Sequence, residues 1–118
     1  MLISHRYPYL PFRCQVKGLT FDAWAYVDTG FDGGLIVPES EAPKLGIPLK
    51  LTLVELGDGS HLFAPEFEGA IQLGEVEMPI LVLCLGNEYL LGREVLDKLR
   101  VCFHRGEQVE VTTNVLES

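Results

Sequence analysis

The sequence has 118 residues, of which 47% are hydrophobic and 22% charged, with a net charge of -8. This length and composition exclude a disordered chain and predict a single globular domain over residues 1–118. The chain has 17 acidic residues and only 9 basic ones, so its net negative charge repels phosphate groups and anionic lipids. We therefore expect neither nucleic acid nor a membrane as partner.

The cysteines and the start of the chain favour a cytoplasmic protein. Cys14, Cys84 and Cys102 are odd in number and far apart, and no CxxC pair indicates zinc or a redox dithiol. We expect them to be buried free thiols. No apolar run is long enough for a signal peptide or a membrane span.

Short strands separated by turn signals are predicted along the first half of the chain. Residues 12–18 alternate apolar and polar side chains with a period of two, which is typical of a half-buried strand. A second strand is predicted over 21–28, and after a glycine-rich loop the apolar segment 35–38 predicts a short buried strand. Residues 39–46 predict about one helical turn, because Pro43 limits its length.

The second half of the chain continues this pattern. Strands are predicted over 49–56, 61–73, 76–85, 100–104 and 108–113. Asp58-Gly59 is a tight-hairpin signal, Gly69 predicts a bulge or bend, and residues 94–99 predict one amphipathic helix. The order predicts an all-β fold, a small closed β-barrel with one short C-terminal helix.

The stretch AYVDTGFDGGLIVP, residues 25–38, places an acid at the end of an apolar strand. Ionising a buried carboxylate is costly unless neighbouring groups stabilise the charge. Thr29 can supply a hydroxyl and Gly30 lets a backbone N–H come close, so Asp28-Thr29-Gly30 can seat a working acid or base. An Asx turn between two strands would explain the same residues, and the tripeptide alone leaves both interpretations open. The ligand order of an EF-hand calcium loop is missing.

Three segments in series resemble the retropepsin-type aspartic proteases, the single-domain family that includes the retroviral proteases. The first is YVDTG with the following GLIVP, and the second is the hairpin VELGDGSHLFAPEF, where the family has its flap. The third is YLLGREVLDKL, which is similar to the family's apolar-apolar-Gly-Arg segment before its C-terminal helix. Together they extend over about residues 12–105.

The resemblance implies an aspartic endopeptidase that acts as a homodimer through its active-site face, because each chain carries one Asp-Thr-Gly. Asp28 of the two chains would share a proton and activate a water that hydrolyses a peptide bond. Thr29 would join the two active-site loops through its hydroxyl, and Gly30 would bring a backbone amide near the carboxylates. We expect no metal and no cofactor.

Further site residues follow from the resemblance. Asp32 would hold the substrate backbone and pair with Arg93, although an ordinary structural ion pair would explain these two residues equally well. Leu91 and Gly92, with Arg93, would support the Asp28 loop from below. Phe31 stands where retroviral members carry a small residue, which implies a narrower subsite beside the catalytic pair.

Gly57, Asp58 and Gly59 would form the tip of the flap, which opens for substrate and closes over it. Two other interpretations stay open. The first is a non-catalytic peptide-binding or dimerisation module on the same fold, and the second is a barrel in which Asp-Thr-Gly is only a turn. The two ends of the chain do not match the interleaved termini of the retroviral members.

Overall fold

The computed structural model describes residues 1–113 and consists mainly of β-strands, which confirms the predicted all-β class. The strands are β1 Leu2–Ser4, β2 Tyr9–Val16, β3 Leu19–Val27, β4 Leu35–Val37, β5 Lys50–Glu55, β6 His61–Leu73, β7 Val76–Cys84, β8 Leu90–Leu91, β9 Leu99–His104 and β10 Gln108–Thr113. The helices are α1 Ala42–Leu45, which follows a 3-10 turn over Glu39–Glu41, and α2 Arg93–Leu96.

Strands β2 and β3 form an antiparallel pair, and their apolar and polar side chains alternate along the sequence. Ala25 and Val27 are buried on one face of β3, whereas Trp24 and Tyr26 are exposed on the other. This arrangement follows from the period of two in a strand, which sends successive side chains to opposite faces.

Seven strands form the main sheet in the order β2-β3-β8-β4-β7-β6-β5, and β2 also pairs with β6. The pairs β3–β8 and β4–β7 are parallel, whereas the others are antiparallel. Parallel pairing brings the ends of β3 and β8 to the same place, and this is where the Asp28 loop begins.

The core lies on the inner faces of these strands and is closed from one side by α2. All three residues of β4 are buried, as expected for a strand covered on both faces. The largest fully buried side chains are Phe67, Leu10, Leu35, Ile71, Leu73 and Leu91. Within residues 1–113, no helix has the length and apolar character needed to cross a membrane.

A second, three-stranded sheet joins the two ends of the described chain in the order β1-β10-β9. The sequence patterns did not predict β1, whose three residues are too few to show a period. It is held by its antiparallel pairing to β10 and by Ser4, whose buried hydroxyl donates a 2.5 Å hydrogen bond to the carbonyl oxygen of Tyr9.

Two sequence predictions of local structure were wrong in detail. The helix predicted over 94–99 ends at Leu96, because Leu99 already pairs with Thr113 as the first residue of β9. Of the bulge or bend predicted at Gly69, the bulge is absent against β7, because the register is continuous through Gly69 and Ile80. A Cβ at Gly69 would come within 2.5 Å of the carbonyl oxygen of Gln15, so this glycine permits β2 to lie close to β6.

Candidate active site

Asp28 directly follows β3, and its backbone is fixed by β8. Its amide donates a 3.0 Å hydrogen bond to the carbonyl oxygen of Leu91, next to the parallel pair of Val27 and Leu91. Leu91 itself is fully buried. The acid therefore follows a strand end that is held in the main sheet.

The Asp28 carboxylate lies at the surface of the single chain. The residue is half-buried, while Thr29 and Gly30 are exposed, which differs from the buried setting that the apolar strand suggested. The amide of Gly30 donates a 3.0 Å hydrogen bond to Oδ1 of Asp28, and the amide of Phe31 donates one of 3.2 Å to the Asp28 carbonyl oxygen. Strand β3 ends at Val27, and the three residues that follow it are half-buried or exposed.

Phe31 and two glycines give the loop its shape. A Cβ on Gly33 would collide with the Phe31 ring, and a Cβ on Gly92 would collide with that ring and lie 2.8 Å from the Phe31 carbonyl oxygen. A glycine is required at position 92, because backbone carbonyl oxygens as well as the ring come close there, whereas at Gly33 only the Phe31 ring does. The ring is thus packed against Gly33 and Gly92.

Three backbone hydrogen bonds join this loop to α2. The amide of Gly92 donates to Gly34, that of Arg93 to Phe31, and that of Glu94 to Gly33, at 2.8, 2.8 and 3.0 Å. The start of α2 and the glycine-rich loop thus form one hydrogen-bonded unit. Gly92-Arg93 supports the loop through its backbone in this way.

The ion pair expected between Asp32 and Arg93 is not formed within residues 1–113. Both side chains are exposed. The loop is instead connected to α2 by the backbone hydrogen bonds, for which neither charge is needed. The carboxylate and the guanidinium therefore remain available at the surface.

Glu94 is a further contact of the loop that the sequence patterns did not indicate. Its Oε1 would lie 2.5 Å from a Cβ at Gly34, and it accepts a hydrogen bond of 3.4 Å from the amide of Leu81 in β7. A glycine at position 34 therefore lets the loop come close to the Glu94 carboxylate and to the carbonyl oxygen of Leu81, which would lie 2.6 Å from that Cβ.

The hairpin between β5 and β6 ends in the predicted tip, and Gly57, Asp58 and Gly59 are all exposed. Asp58 Oδ1 accepts hydrogen bonds from the hydroxyl and the amide of Ser60, at 2.5 and 2.9 Å. The hydroxyl bond first, and then the amide bond, lower the pKa of Asp58. Gly59 has a φ of 87°, a conformation that glycine adopts without strain.

The base of this hairpin contains a buried acid that sequence reasoning missed. Glu66 is only 6% exposed, and its Oε1 accepts a 2.8 Å hydrogen bond from the hydroxyl of Thr52. Its second oxygen lies 3.8 Å from Nζ of Lys50. The signal in the sequence is an acid within the apolar run FAPEFEG, which favours a paired carboxylate over an exposed one.

A groove of about 280 Å³ lies beside the Asp28 loop, between α2 and β9, and we call it the β9 groove. Its lining includes Thr29, Arg93, Asp97, Leu99, Val101 and Phe103. The floor is apolar and two opposite charges stand beside it. No sequence pattern indicated this groove, because its walls come from two stretches that are distant in the chain, residues 27–29 and 93–103.

Comparison with solved structures identifies the architecture. The chain is similar to the crystal structure of a retropepsin-like aspartic protease from Rickettsia conorii, at 21% identity and a TM-score of 0.64, over 92% of this chain and 86% of that one. The fold is retropepsin-like. The solution structure of the simian foamy virus (mac) protease is also similar, at 18% identity and a TM-score of 0.50, over 74% of this chain and 91% of that one. No family model and no curated protein matches the sequence.

The three segments that the sequence patterns singled out lie at defined places in the fold. Asp-Thr-Gly follows β3, the hairpin tip lies between β5 and β6, and Gly-Arg stands at the junction of β8 and α2. The first and third segments are in direct contact through backbone hydrogen bonds. They form one loop assembly, although they are distant in the sequence.

Proposed function

We propose that the protein is an aspartic endopeptidase that works as a homodimer, with Asp28 of each copy forming the catalytic pair. The observation that carries the proposal is the Asp28-Thr29-Gly30 loop at the end of β3, supported by Leu91 and Gly92 in a retropepsin-like fold. A single chain supplies one such acid, so the active site is complete only when two copies meet.

The chemistry follows from two carboxyl groups in contact. Two carboxylates in contact repel each other strongly, so the pair would hold one proton between them. The ionised Asp28 removes a proton from a water, whose oxygen attacks the carbonyl carbon of the peptide bond. The protonated Asp28 gives its proton to the developing oxyanion, which leaves a tetrahedral diol. When the diol collapses, the C–N bond breaks, the proton that was taken from water passes to the leaving amine nitrogen, and one diol proton returns to the other carboxylate. The Gly30 amide, which donates to Oδ1, holds the carboxylate in orientation.

The substrate would be an extended peptide held between the flap and the Asp28 loop. Asp32 is exposed and bound to no cation within the described residues, so it can accept a backbone N–H of the substrate. Gly57, Asp58 and Gly59 would close over the peptide and exclude water. On one face of the flap hairpin, Leu53 and Phe63 form an exposed apolar cross-strand pair.

We further propose that residues 1–118 form one domain, that its main sheet closes into a small barrel, and that it acts in the cytoplasm. The pairing of β2 with β6 supports closure, because it leads the sheet back to its first strand. The three free cysteines support a reducing compartment. The charge of -8 argues against nucleic acid as a partner.

The decisive variant is Asp28→Asn, which keeps the shape of the side chain and removes its acidity. We expect cleavage of peptide mixtures, followed by mass spectrometry, to fall by about 10³-fold or more. A statine-type transition-state mimic should bind the wild type. Asp22→Asn is the matched control, because Asp22 is an exposed acid whose only ion pair among residues 1–113 is with Arg13, and its loss should leave cleavage unchanged.

Equal cleavage by wild type and Asp28→Asn would refute the enzymatic proposal. If neither protein cleaves but both bind extended peptides, the protein is the non-catalytic peptide-binding module.

A further inference from the structure

A pocket of about 220 Å³ lies at the loop between β7 and β8, and we call it the Glu88 pocket. Its wall is mostly apolar and consists of Ile36, Leu85, Gly86, Asn87, Glu88 and Leu90. The carboxylate of Glu88 is the only charged group among these six residues. Apolar walls with a single carboxylate favour a ligand that has an apolar stem and a cationic end.

The Glu88 pocket lies on the face of the main sheet to which the Asp28 side chain belongs. Leu90 of β8 pairs with the exposed Tyr26 on one side and with Ile36 on the other. The amide of Asp28 bonds to the carbonyl oxygen of Leu91 and so continues the β3–β8 ladder by one residue. Side chains alternate along a strand, so Asp28 shares a face with Tyr26, about 7 Å away along the chain. A peptide bound across Asp28 can therefore place a side chain in the pocket.

The carboxylate of Glu88 is oriented by a tyrosine of β2. The hydroxyl of Tyr9 donates a 3.3 Å hydrogen bond to Oε1 of Glu88, and the Tyr9 ring packs edge-on against Tyr26 at a centroid distance of 5.6 Å. The negative charge of Glu88 is the largest cause that raises the pKa of Tyr9, so the hydroxyl stays protonated and continues to donate. Glu88 itself is exposed, and an incoming group can reach its second oxygen.

No cation of residues 1–113 forms an ion pair with Glu88. Arg6 lies on the Tyr9 side of the pocket, with its guanidinium carbon 6.0 Å from the centre of the Tyr9 ring. It is closer to the ring of Trp24, at 4.9 Å, and its charge stands over that indole instead of against the carboxylate. The charge of Glu88 is thus left for a ligand, and the net charge of -8 attracts a cationic one.

We infer that the Glu88 pocket selects peptides with a lysine or arginine side chain, whose cationic end pairs with Glu88 while its methylene stem packs on the apolar walls. Tyr9 is the positioning residue that orients the carboxylate. The inference rests on the proposed function in one respect, since the selected side chain belongs to the peptide that is cleaved. It adds the substrate class, namely peptides with a basic residue near the scissile bond.

Cleavage specificity tests the pocket. The wild type is incubated with a peptide library, the cleaved bonds are identified by mass spectrometry, and matched peptides with lysine, norleucine or glutamate at the selected position then give kcat/KM. We expect lysine to exceed norleucine, which lacks the ammonium group, by about 10-fold. Glu88→Gln should bring this ratio to about one, and Glu88→Lys should favour glutamate over lysine. Glu77→Gln is the matched control, because Glu77 is an exposed acid of β7 without an ion pair among residues 1–113, and it should keep the wild-type ratio.

Tyr9→Phe tests the positioning role, because it removes the hydroxyl and keeps the ring. The ratio of kcat/KM for the lysine and norleucine peptides should fall about 3-fold, since the carboxylate loses the hydrogen bond that orients it. A merely structural role of Tyr9 would lower kcat/KM for both peptides equally and leave the ratio unchanged.

Binding to the pocket is also measured without catalysis, by NMR on the Asp28→Asn protein. The probes are Nα-acetyl-lysine amide and Nα-acetyl-norleucine amide. The lysine derivative should shift the amide signals of Glu88 and Leu90 with a dissociation constant about 5-fold lower than that of the norleucine derivative. Adding Glu88→Gln should remove this difference, and adding Glu77→Gln should not.

The outcomes separate the pocket from the proposed function. A wild type that cleaves without preference for basic side chains, or a preference that survives Glu88→Gln, overturns the pocket and leaves the function standing. A protein that cleaves nothing but binds the lysine derivative through Glu88 supports the pocket and overturns the function. If nothing is cleaved and the two derivatives bind equally, both are overturned.

Discussion

The amide of Asp28 donates a 3.0 Å hydrogen bond to the carbonyl oxygen of Leu91, and this bond joins two segments from opposite halves of the chain. The next residues repeat the connection, since Gly92 donates to Gly34 and Arg93 to Phe31. The acid is thus positioned by backbone groups of β8 and α2, while its own carboxylate remains at the surface. A side chain so placed can meet a second molecule without any rearrangement of the core.

Gly92→Ala tests this support. A Cβ would lie 2.8 Å from the Phe31 carbonyl oxygen and would also collide with the Phe31 ring and the Gly33 carbonyl oxygen. Because two of these groups are backbone, we expect a loss of about 1–3 kcal/mol in the free energy of unfolding. Urea denaturation measures it.

Gly18→Ala is the matched control for that substitution, because a Cβ there would meet nothing within 4 Å. Its effect should stay within about 1 kcal/mol, with either sign. Equal losses in the two variants would show that the contact of Gly92 with the loop contributes nothing to stability.

Thr52→Val removes the hydroxyl that donates to buried Glu66 while keeping the shape of the side chain. The carboxylate is then left with one hydrogen bond fewer, and we expect a loss of about 1–3 kcal/mol in unfolding free energy. Thr20→Val, at an exposed position of β3, should change it by about 0.5 kcal/mol or less. A Thr52→Val protein as stable as wild type would contradict the buried hydrogen bond.

The tip of the β5–β6 hairpin should respond to acid. Hydrogen bonds from Ser60 lower the pKa of Asp58, so the folded tip favours the ionised carboxylate. The stabilisation is present above the unperturbed pKa of about 3.9 and is lost as the pH falls through the lowered value of the folded tip. The amide chemical shift of Ser60, followed by NMR between pH 6 and 2, reports this loss.

Two variants complete that titration. Ser60→Ala should move the Asp58 pKa back toward its ordinary value, because it removes the hydroxyl bond that contributes most to the shift. Asp58→Asn should abolish the transition at residue 60. A Ser60 amide that titrates identically in Asp58→Asn would refute the assignment.

The cysteines should differ in reactivity. Burial raises the pKa of Cys14 to about 12 and that of Cys84 to about 11, and both thiols are almost inaccessible. Because the thiolate is the reactive form, neither should react with an aromatic disulfide reagent at pH 8 until the protein unfolds. Half-buried Cys102 should react first, and Cys102→Ser should remove the fast phase. Two fast-reacting thiols would contradict this.

Short sequence patterns were sufficient to predict those elements whose conformation depends only on residues close together in the chain. The alternation over 12–18 and 21–28 predicted β2 and β3, because a period of two is a property of a single strand. Asp58-Gly59 predicted the hairpin tip for the same kind of reason, since a tight turn needs few residues. These features require no knowledge of distant parts of the chain.

Other features depended on partners that sequence periodicity does not specify. Strand β1 exists because β10 offers it an edge, and α2 stops at Leu96 because Leu99 is drawn into pairing with Thr113. Gly69 was expected at a bulge but serves a close approach to Gln15. Glu66 became a buried, bonded acid through Thr52, fourteen residues away.

The candidate site shows the same division. The sequence alone singled out Asp28, the hairpin tip and Gly92-Arg93, because each belongs to a motif of two or three consecutive residues. Tertiary structure alone decided that the backbone of Gly92-Arg93 supports the Asp28 loop, that Asp32 and Arg93 stay apart, and that α2 and β9 form a groove beside Thr29. The reason is physical: a motif is encoded by neighbours in the chain, whereas contacts and charge pairs depend on which distant segments pack together.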